Sequence, residues 1–224
     1  MKKTILLLLA VAFGFVSFAQ KPSEGNLLTE ANYSLSNWNN SFSLPNLRFR
    51  YFIADDMAVR VDLSVAGDKT TNNFAENADG SGASGSQEIK SSGFGLSAGI
   101  ERHWDGNEKF SPFASASVGF MSSSKDETWT DFDGLNYSSG TSASVESGSS
   151  MFGINLGLGA DYWVTKSFYL GAELGWGLAV SNGKDGTSSV TSGGTTTNST
   201  ILGGSGSSFG ESMAPGFRIG FMLN

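Results

Sequence analysis

Strict alternation of apolar and polar side chains is the dominant pattern of this chain beyond residue 20. In the segment 47–53 every odd position is apolar, and after Asp55 and Asp56 the alternation resumes over 57–65. A period of two residues predicts a β-strand with one apolar face. The pattern therefore predicts a β-hairpin with a very short turn at 54–57.

The same unit occurs twice more along the chain, and a single alternating segment stands at each end of the set. These further segments are 27–35, 94–101, 114–120, 152–162, 168–178 and 215–223. Together with the first hairpin they predict eight strands. Helical periodicity is almost absent beyond residue 20, so the pattern predicts an all-β protein.

The connections between the predicted strands alternate in length. Short turns are predicted near 54–57, 105–109 and 164–167, and a modest loop near 37–43. Three long loops rich in Gly, Ser, Thr and Asn are predicted near 68–88, 122–147 and 181–208. Short turns at one end and long loops at the other are typical of outer-membrane barrels. We expect an eight-stranded antiparallel up-and-down transmembrane β-barrel, with short periplasmic turns, long extracellular loops and both termini periplasmic.

The first 19 residues have the pattern of a secretory signal peptide. Lys2 and Lys3 precede an apolar run from Ile5 to Val16, and small residues stand at Ser17 and Ala19. The apolar run is shorter than the roughly 20 residues that a membrane-spanning helix needs. We therefore expect a cleaved leader at 1–19 and a single barrel domain at 20–224.

Small residues dominate the face opposite the apolar one, and a few large charged residues interrupt them. These are Glu30, Arg48, Arg50, Arg60, Asp62, Glu101, Asp161, Glu173 and Arg218. Four cations against five anions predict mutual pairing inside the barrel, because an unpaired buried charge costs several kcal/mol.

A secreted β-sandwich binding domain also has strands with alternating apolar and polar residues, but its water-facing side carries many Lys, Glu and Thr residues. That sandwich remains an alternative.

Aromatic residues are concentrated near two parts of the predicted barrel. Near the short turns they predict an interfacial girdle, formed by Tyr51, Trp104, Phe110, Tyr162, Trp163 and Phe168. The segment 122–147 is unusually apolar for an exposed loop, since it contains Trp129, Phe132, Leu135 and Tyr137. We expect these four residues to pack on the barrel rim or to contact a partner.

Composition narrows the chemistry that such a protein could perform. The chain has no cysteine, one histidine and a net charge of −7. The lack of cysteine excludes a disulfide scaffold and thiolate metal sites, and the acidic balance argues against nucleic acid as a partner. His103 lies beside a short turn, so a catalytic serine at the outer rim would lack its usual base. We expect no enzymatic activity, no cofactor and no metal.

Two hairpins carry a resemblance to a known family. The segments LRFRYFIADDMAVRVDLSV at 47–65 and FGINLGLGADYWVTKSFYLGAELGWG at 152–177 resemble the small outer-membrane β-barrel proteins of the OmpA/OmpX type. The chain departs from that family at its end, where Phe221 is followed by Met-Leu-Asn instead of standing as a terminal aromatic.

The resemblance implies a non-enzymatic protein of a Gram-negative outer membrane. Such a protein contacts outer-membrane lipid and contributes to envelope structure, to surface-loop interactions or to association with other envelope proteins. A narrow porin-like channel for ions or small polar solutes is the alternative function.

Overall fold

The computed structural model describes residues 21–34, 46–132 and 137–224, and all regular structure in these ranges is β. The predicted leader at 1–19 and the modest loop at 37–43 lie outside the described residues. Nine strands are described: β1 (Leu27–Ser34), β2 (Asn46–Ala54), β3 (Met57–Ala75), β4 (Ser84–His103), β5 (Phe110–Phe132), β6 (Tyr137–Trp163), β7 (Phe168–Ser192), β8 (Thr195–Ile201) and β9 (Ser205–Met222). This part of the chain contains no helix long and apolar enough to cross a membrane.

The strands form one antiparallel sheet that closes on itself. The order is β6-β5-β4-β3-β2-β1-β9-β7-β8, and an additional pairing of β6 with β7 completes a ring. Among the described strands, β8 pairs with β7 alone and stands outside that ring. The all-β antiparallel prediction is confirmed, but nine strands are described instead of the predicted eight. One closed sheet also differs from the two packed sheets of a sandwich.

One end of the ring carries the short connections and is called the short-turn end. Asp55 and Asp56 join β2 to β3, residues 104–109 join β4 to β5, and residues 164–167 join β6 to β7. The chain near both ends of the described sequence is tied to this end, since the Leu223 amide donates to the Leu27 carbonyl at 2.8 Å. The predicted short turns are therefore confirmed.

The predicted long loops are wrong, because the strands continue through most of them. β3 and β4 stay paired residue by residue up to Ala75 opposite Ser84, which leaves only 76–83 as a connection. β7 and β8 meet at Gly193 and Gly194, whose φ angles of 57° and 78° suit a tight hairpin turn. We call this opposite end the hairpin end. Sequence periodicity missed these extensions because Ser, Thr, Gly and Asn occur on both of their faces, so no regular apolar alternation marks them.

Outside the ring, large apolar side chains form a continuous exposed band. Leu156 is 60% exposed and Phe217 57%, and comparable residues stand on β2 to β7 and on β9. Inside, a small apolar layer closes the short-turn end, formed by Leu28, Phe52, Ala58, Trp163 and Tyr169. Trp163 was predicted in the interfacial girdle, and that is wrong: side chains alternate along β6, so Tyr162 points outward and Trp163 packs on Tyr169.

Candidate functional site

On the hairpin side of the apolar layer, the interior of the ring holds charged side chains. The structure places all nine predicted residues there, contributed by seven strands: Glu30, Arg48, Arg50, Arg60, Asp62, Glu101, Asp161, Glu173 and Arg218. Eight of them are almost completely buried, whereas 17% of the Asp62 side chain is exposed. We call these nine residues the charge network.

Strand β2 supplies two of the four cations of the charge network. The Arg48 guanidinium lies 3.2 Å from Glu30 and 2.8 Å from Glu173, and its Nε donates to Asp62. Arg50 lies 2.9 Å from Glu101, 2.8 Å from Asp161 and 3.7 Å from Glu30. Each of the two cations therefore bridges three carboxylates across the interior.

The other two cations come from β3 and β9, and each of them also contacts three carboxylates. Arg60 lies 2.8 Å from Glu173, 3.2 Å from Glu101 and 3.9 Å from Asp62. Arg218 lies 2.6 Å from Asp161 and 3.5 Å from both Glu30 and Glu173. Every carboxylate is thus shared by at least two arginines. Such sharing offsets the desolvation of buried charge better than isolated pairs do.

Neutral groups add hydrogen bonds to the charge network. The Tyr169 hydroxyl donates to Glu30 at 2.6 Å, and the Ser115 hydroxyl donates to Glu173 at 2.9 Å. Aromatic faces also contact two of the cations: Arg218 lies 4.5 Å from the ring centre of Phe113, and Arg50 lies 4.9 Å from that of Tyr169. These contacts extend the network into the apolar layer at the short-turn end.

Inward glycines make room for these large side chains, as the sequence predicts. A Cβ added at Gly220 would stand 2.1 Å from the Tyr169 ring, and one at Gly171 would stand 2.6 Å from Asp161. Strand β9 can therefore pass directly behind Tyr169 only because position 220 has no side chain. Sequence reasoning found the small residues from the alternation, but not which large side chain each one accommodates.

Sequence reasoning missed one constellation at the base of the network. His103 Nδ1 lies 3.0 Å from the Ser111 hydroxyl, and its Nε2 lies 3.3 Å from Glu101. These are the residue types of a serine nucleophile, its base and an orienting carboxylate. All three side chains are buried, however, and the imidazole is flanked by the rings of Phe52 and Phe113. At 1 to 5% exposure, the three side chains present almost no surface to a substrate.

An open cavity of about 450 Å³ lies on the hairpin side of the charge network. Arg48, Arg60 and Asp62 are at its base. Its walls are mostly glycine, serine and alanine, together with Asn155 and the facing pair Met121 and Met151. Beneath the network the apolar layer closes the interior. The cavity therefore has one charged, blind end and one end that opens toward the hairpins.

Three of the four predicted loop-contact residues lie within the described chain, and they lie in strands. The Phe132 ring packs between Phe74 and Tyr137, with ring centres 5.1 and 4.9 Å away. The Tyr137 hydroxyl donates to the Ala75 carbonyl at 2.8 Å. Trp129 is half-buried on β5, and Leu135 lies outside the described residues. The aromatic residues thus join two neighbouring hairpins to each other.

A different kind of ion cluster stands on the outer wall toward the hairpin end. Lys69 on β3 faces Lys90 on β4, and both bind Glu88, at 2.8 and 2.6 Å. Hydrogen bonds from the two ammonium groups lower the pKa of Glu88 to about 2. Both lysines are more than half exposed.

In the described part of the chain, no group of three or more metal-binding side chains is placed to hold a metal ion.

Among known proteins, similarity to this chain is found in solved structures. No protein-family model matches the chain, and no curated protein matches it. Among solved structures, the chain is similar to the outer membrane protein AlkL, determined by solid-state NMR in DMPC lipid bilayers. That similarity covers 94% of this chain and 96% of AlkL, with 13% identity and a TM-score of 0.34.

Proposed function

We propose that this chain is a non-enzymatic, integral outer-membrane β-barrel protein with a sealed interior. The observation that carries the proposal is the reversal of ordinary burial. Large apolar side chains face outward around the ring, while nine charged side chains are held inside it. Water outside the ring would leave that apolar band exposed at a high free-energy cost, whereas lipid would cover it.

Closure of the sheet supports the same environment. In lipid, backbone N–H and C=O groups have no water to bind, so each must find a partner within the protein. The ring formed by β1 to β7 and β9 provides those partners. The band also has the girdle expected of a membrane interface, since Tyr51, Trp104 and Tyr162 are exposed near the short-turn end. We place both chain termini on the periplasmic side, together with that end.

The contents of the interior favour a structural role over a narrow porin-like channel. The charge network occupies the interior, and Phe52, Trp163 and Tyr169 fill it beneath the network. Eight-stranded rings are just wide enough for side chains to fill. An ion passing through would have to break several of the arginine–carboxylate contacts. The polar hairpins beyond the band are then the part available for association with other envelope proteins.

The membrane environment is tested by comparing two tryptophans that face opposite sides of the wall. Trp176 is 44% exposed on the outer face of β7, whereas Trp163 is fully buried inside. In single-tryptophan variants reconstituted into vesicles of brominated lipid, we expect strong fluorescence quenching for Trp176 and weak quenching for Trp163. Equal quenching of both would contradict the proposal.

The sealed interior is tested separately with purified protein in planar lipid bilayers. We expect no steady single-channel conductance from protein that shows folded, heat-modifiable migration on gels. A porin measured in the same bilayers is the positive control. Reproducible conductance steps would favour the narrow-channel alternative and would leave the membrane assignment intact.

A further inference from the structure

The outer wall carries a patch of hydroxyl groups and one lysine where the apolar band ends on the hairpin side. On β5 and β6 the band ends at Phe120 and Phe152, which are paired and about half exposed. Side chains on one face of a strand recur every second residue, so Ser122 and Ser150 are the next outward positions, and they are also paired. These two hydroxyl groups therefore border the apolar band directly.

Lys184 on β7 reaches these hydroxyl groups across the intervening strand. Its backbone is paired with Gly148 on β6, which is paired in turn with Ser124 on β5. Its ammonium, however, donates to the Ser122 hydroxyl at 3.1 Å, one outward position closer to the apolar band than Ser124. A Cβ added at Gly148 would stand 3.5 Å from the Lys184 Cδ, so the lysine stem lies directly over the glycine. The side chain thus runs along the wall toward the band. We call Lys184, Ser122 and Ser150 the interface patch.

The direction of the Lys184 side chain separates its charge from the carboxylates of the same wall. Asp126 on β5 and Glu146 on β6 are paired with each other, farther from the apolar band than the Lys184 backbone. The Asp185 carboxylate accepts a hydrogen bond from the Gly203 amide at 2.9 Å. Within the described ranges, the Lys184 ammonium has a hydroxyl as its partner and forms no ion pair. An ammonium group has three donors, and a hydroxyl does not neutralise its charge, so an anion at the edge of the band can bind it.

We propose that the interface patch binds a lipid that carries a phosphate group, with the phosphate at the Lys184 ammonium and the acyl chains along Phe120 and Phe152. The inference rests on the membrane environment proposed above and adds a specific lipid contact to it. The ammonium and the serine hydroxyl groups donate hydrogen bonds to phosphate oxygens, while the aromatic residues contact hydrocarbon. Continuity between the interface patch and the apolar band favours a lipid over a soluble phosphate compound, which has no chains to cover the aromatic residues.

The first test is native mass spectrometry of the protein released from detergent micelles and titrated with three probes. Phosphatidic acid carries both acyl chains and a phosphate, diacylglycerol carries only the chains, and glycerol 3-phosphate carries only the phosphate. We expect retention of phosphatidic acid at concentrations at which the other two probes are not retained. Equal retention of diacylglycerol would overturn the role of the phosphate. Binding of glycerol 3-phosphate as tight as that of phosphatidic acid would overturn the lipid as the ligand.

A matched pair of lysine variants locates the phosphate on the wall. Lys184→Gln should weaken binding of phosphatidic acid by about fivefold, the effect of one basic residue near an anionic lipid. Lys125→Gln makes the same change on β5, next to Ser124 but on the opposite face of the wall, and should leave binding unchanged. Equal binding by Lys184→Gln and the wild type would overturn the assignment of the phosphate to Lys184.

Gly148→Val tests the path of the lysine while leaving every charge in place. A side chain at position 148 would occupy the space of the Lys184 stem, so binding should weaken about as much as in Lys184→Gln. Gly67→Val, on the outer face of β3, should keep wild-type binding, because a Cβ there meets no atom within 4 Å. Wild-type affinity in Gly148→Val would overturn the position of the ammonium beside Ser122.

Folding and membrane location are measured apart from lipid binding. Heat-modifiable migration confirms that each variant is folded, and the exposed Lys184→Gln substitution keeps the test available if Gly148→Val does not fold. Quenching of Trp176 by brominated lipid reports the membrane environment alone. Quenching of Trp176 without preferential binding of phosphatidic acid would overturn this inference and leave the membrane proposal standing, whereas loss of the quenching would overturn both.

Discussion

The half of the molecule at the short-turn end, called the lower half, and the half at the hairpin end, called the upper half, have the same antiparallel strand pairing. They hold their charged side chains differently. Strands β3 and β4 pair without interruption from Met57 opposite Arg102 to Ala75 opposite Ser84. In the lower half, Arg60 is buried and bridges three carboxylates inside the ring. In the upper half, Lys69 and Lys90 share Glu88 on an exposed wall.

The surroundings of an ion pair, and not the geometry of its strands, decide how much the pair contributes to stability. When a buried arginine is removed, its carboxylates lose their cation, and no water takes the place of the guanidinium group. An exposed lysine that is removed leaves a carboxylate that water solvates at once. We therefore expect the same kind of substitution to have large effects in the charge network and small effects on the upper wall.

Arg218→Ala should produce the largest loss of stability. It removes the guanidinium from Asp161, Glu30 and Glu173, and truncation of one partner in a buried network costs about 3 to 5 kcal/mol. The measurement is urea unfolding in detergent micelles, followed by tryptophan fluorescence. Lys125→Ala, on the exposed part of β5, is the matched control and should change little. Equal effects of the two substitutions would refute the distinction between the halves.

Gly220→Ala should have the next largest effect, although it adds only one methyl group. Its Cβ would stand 2.1 Å from the Tyr169 ring, so the ring or the strand must move, at a cost of about 2 kcal/mol. The same unfolding assay measures the loss. Gly67→Ala is the control, because a Cβ there meets no atom within 4 Å. If Gly220→Ala is as stable as Gly67→Ala, the tight packing of Tyr169 behind β9 is wrong.

The lower half could be predicted from sequence in unusual detail, and the reason is its alternation. In a strand, neighbouring side chains face opposite sides, so Arg48 and Arg50 must share a face once Leu47 and Phe49 are placed outside. The list of inward charges follows from this rule without any tertiary information. Pairings across the interior, such as Arg50 with Asp161, depend on the diameter and stagger of the ring, and the sequence pattern does not encode them locally.

The upper half was beyond such reasoning for a physical reason. In its strands Thr and Ser stand on both faces, so the apolar alternation disappears. The hairpins are defined by continuous backbone pairing and by turns such as Gly193-Gly194, which composition alone presents as a flexible loop. The contact of His103 with Ser111 was missed as well. Those two residues lie on β4 and β5, on either side of a turn, and only the register brings them together.

Tyr169→Phe should have a smaller effect than either substitution described above. It deletes the hydroxyl that donates to Glu30 at 2.6 Å but preserves the ring in the apolar layer. Glu30 keeps its three arginine contacts, so the loss should be near the lower end for a buried hydrogen bond, about 1 kcal/mol. Tyr162→Phe, on the outer face of β6, serves as the control in the same assay. A loss as large as that of Arg218→Ala would mean that the hydroxyl, and not the shared arginines, holds Glu30.

Substitution of Glu88, in the exposed cluster on the outer wall toward the hairpin end, should change the stability least. The size of that change should depend on pH. Lys69 and Lys90 lower the pKa of Glu88 to about 2, from an ordinary value near 4.5. Because the pKa is lower in the folded state, any stabilisation by the Glu88 carboxylate is complete above about pH 4.5 and is lost as the pH falls toward 2. Glu88→Gln removes the charge and keeps the shape. Its small difference from the wild type should therefore vanish at the acid end of a series of unfolding curves.

Salt separates this exposed cluster from the buried network in one measurement. At roughly 1 M salt the screening length falls to about 3 Å, so the difference between the wild type and Glu88→Gln should shrink toward zero. The difference between the wild type and Arg218→Ala should persist, because the Arg218 guanidinium is buried and does not line the open cavity. Salt-insensitive stabilisation by Glu88, or salt-sensitive stabilisation by Arg218, would show that the two halves do not differ in solvent access as their structures imply.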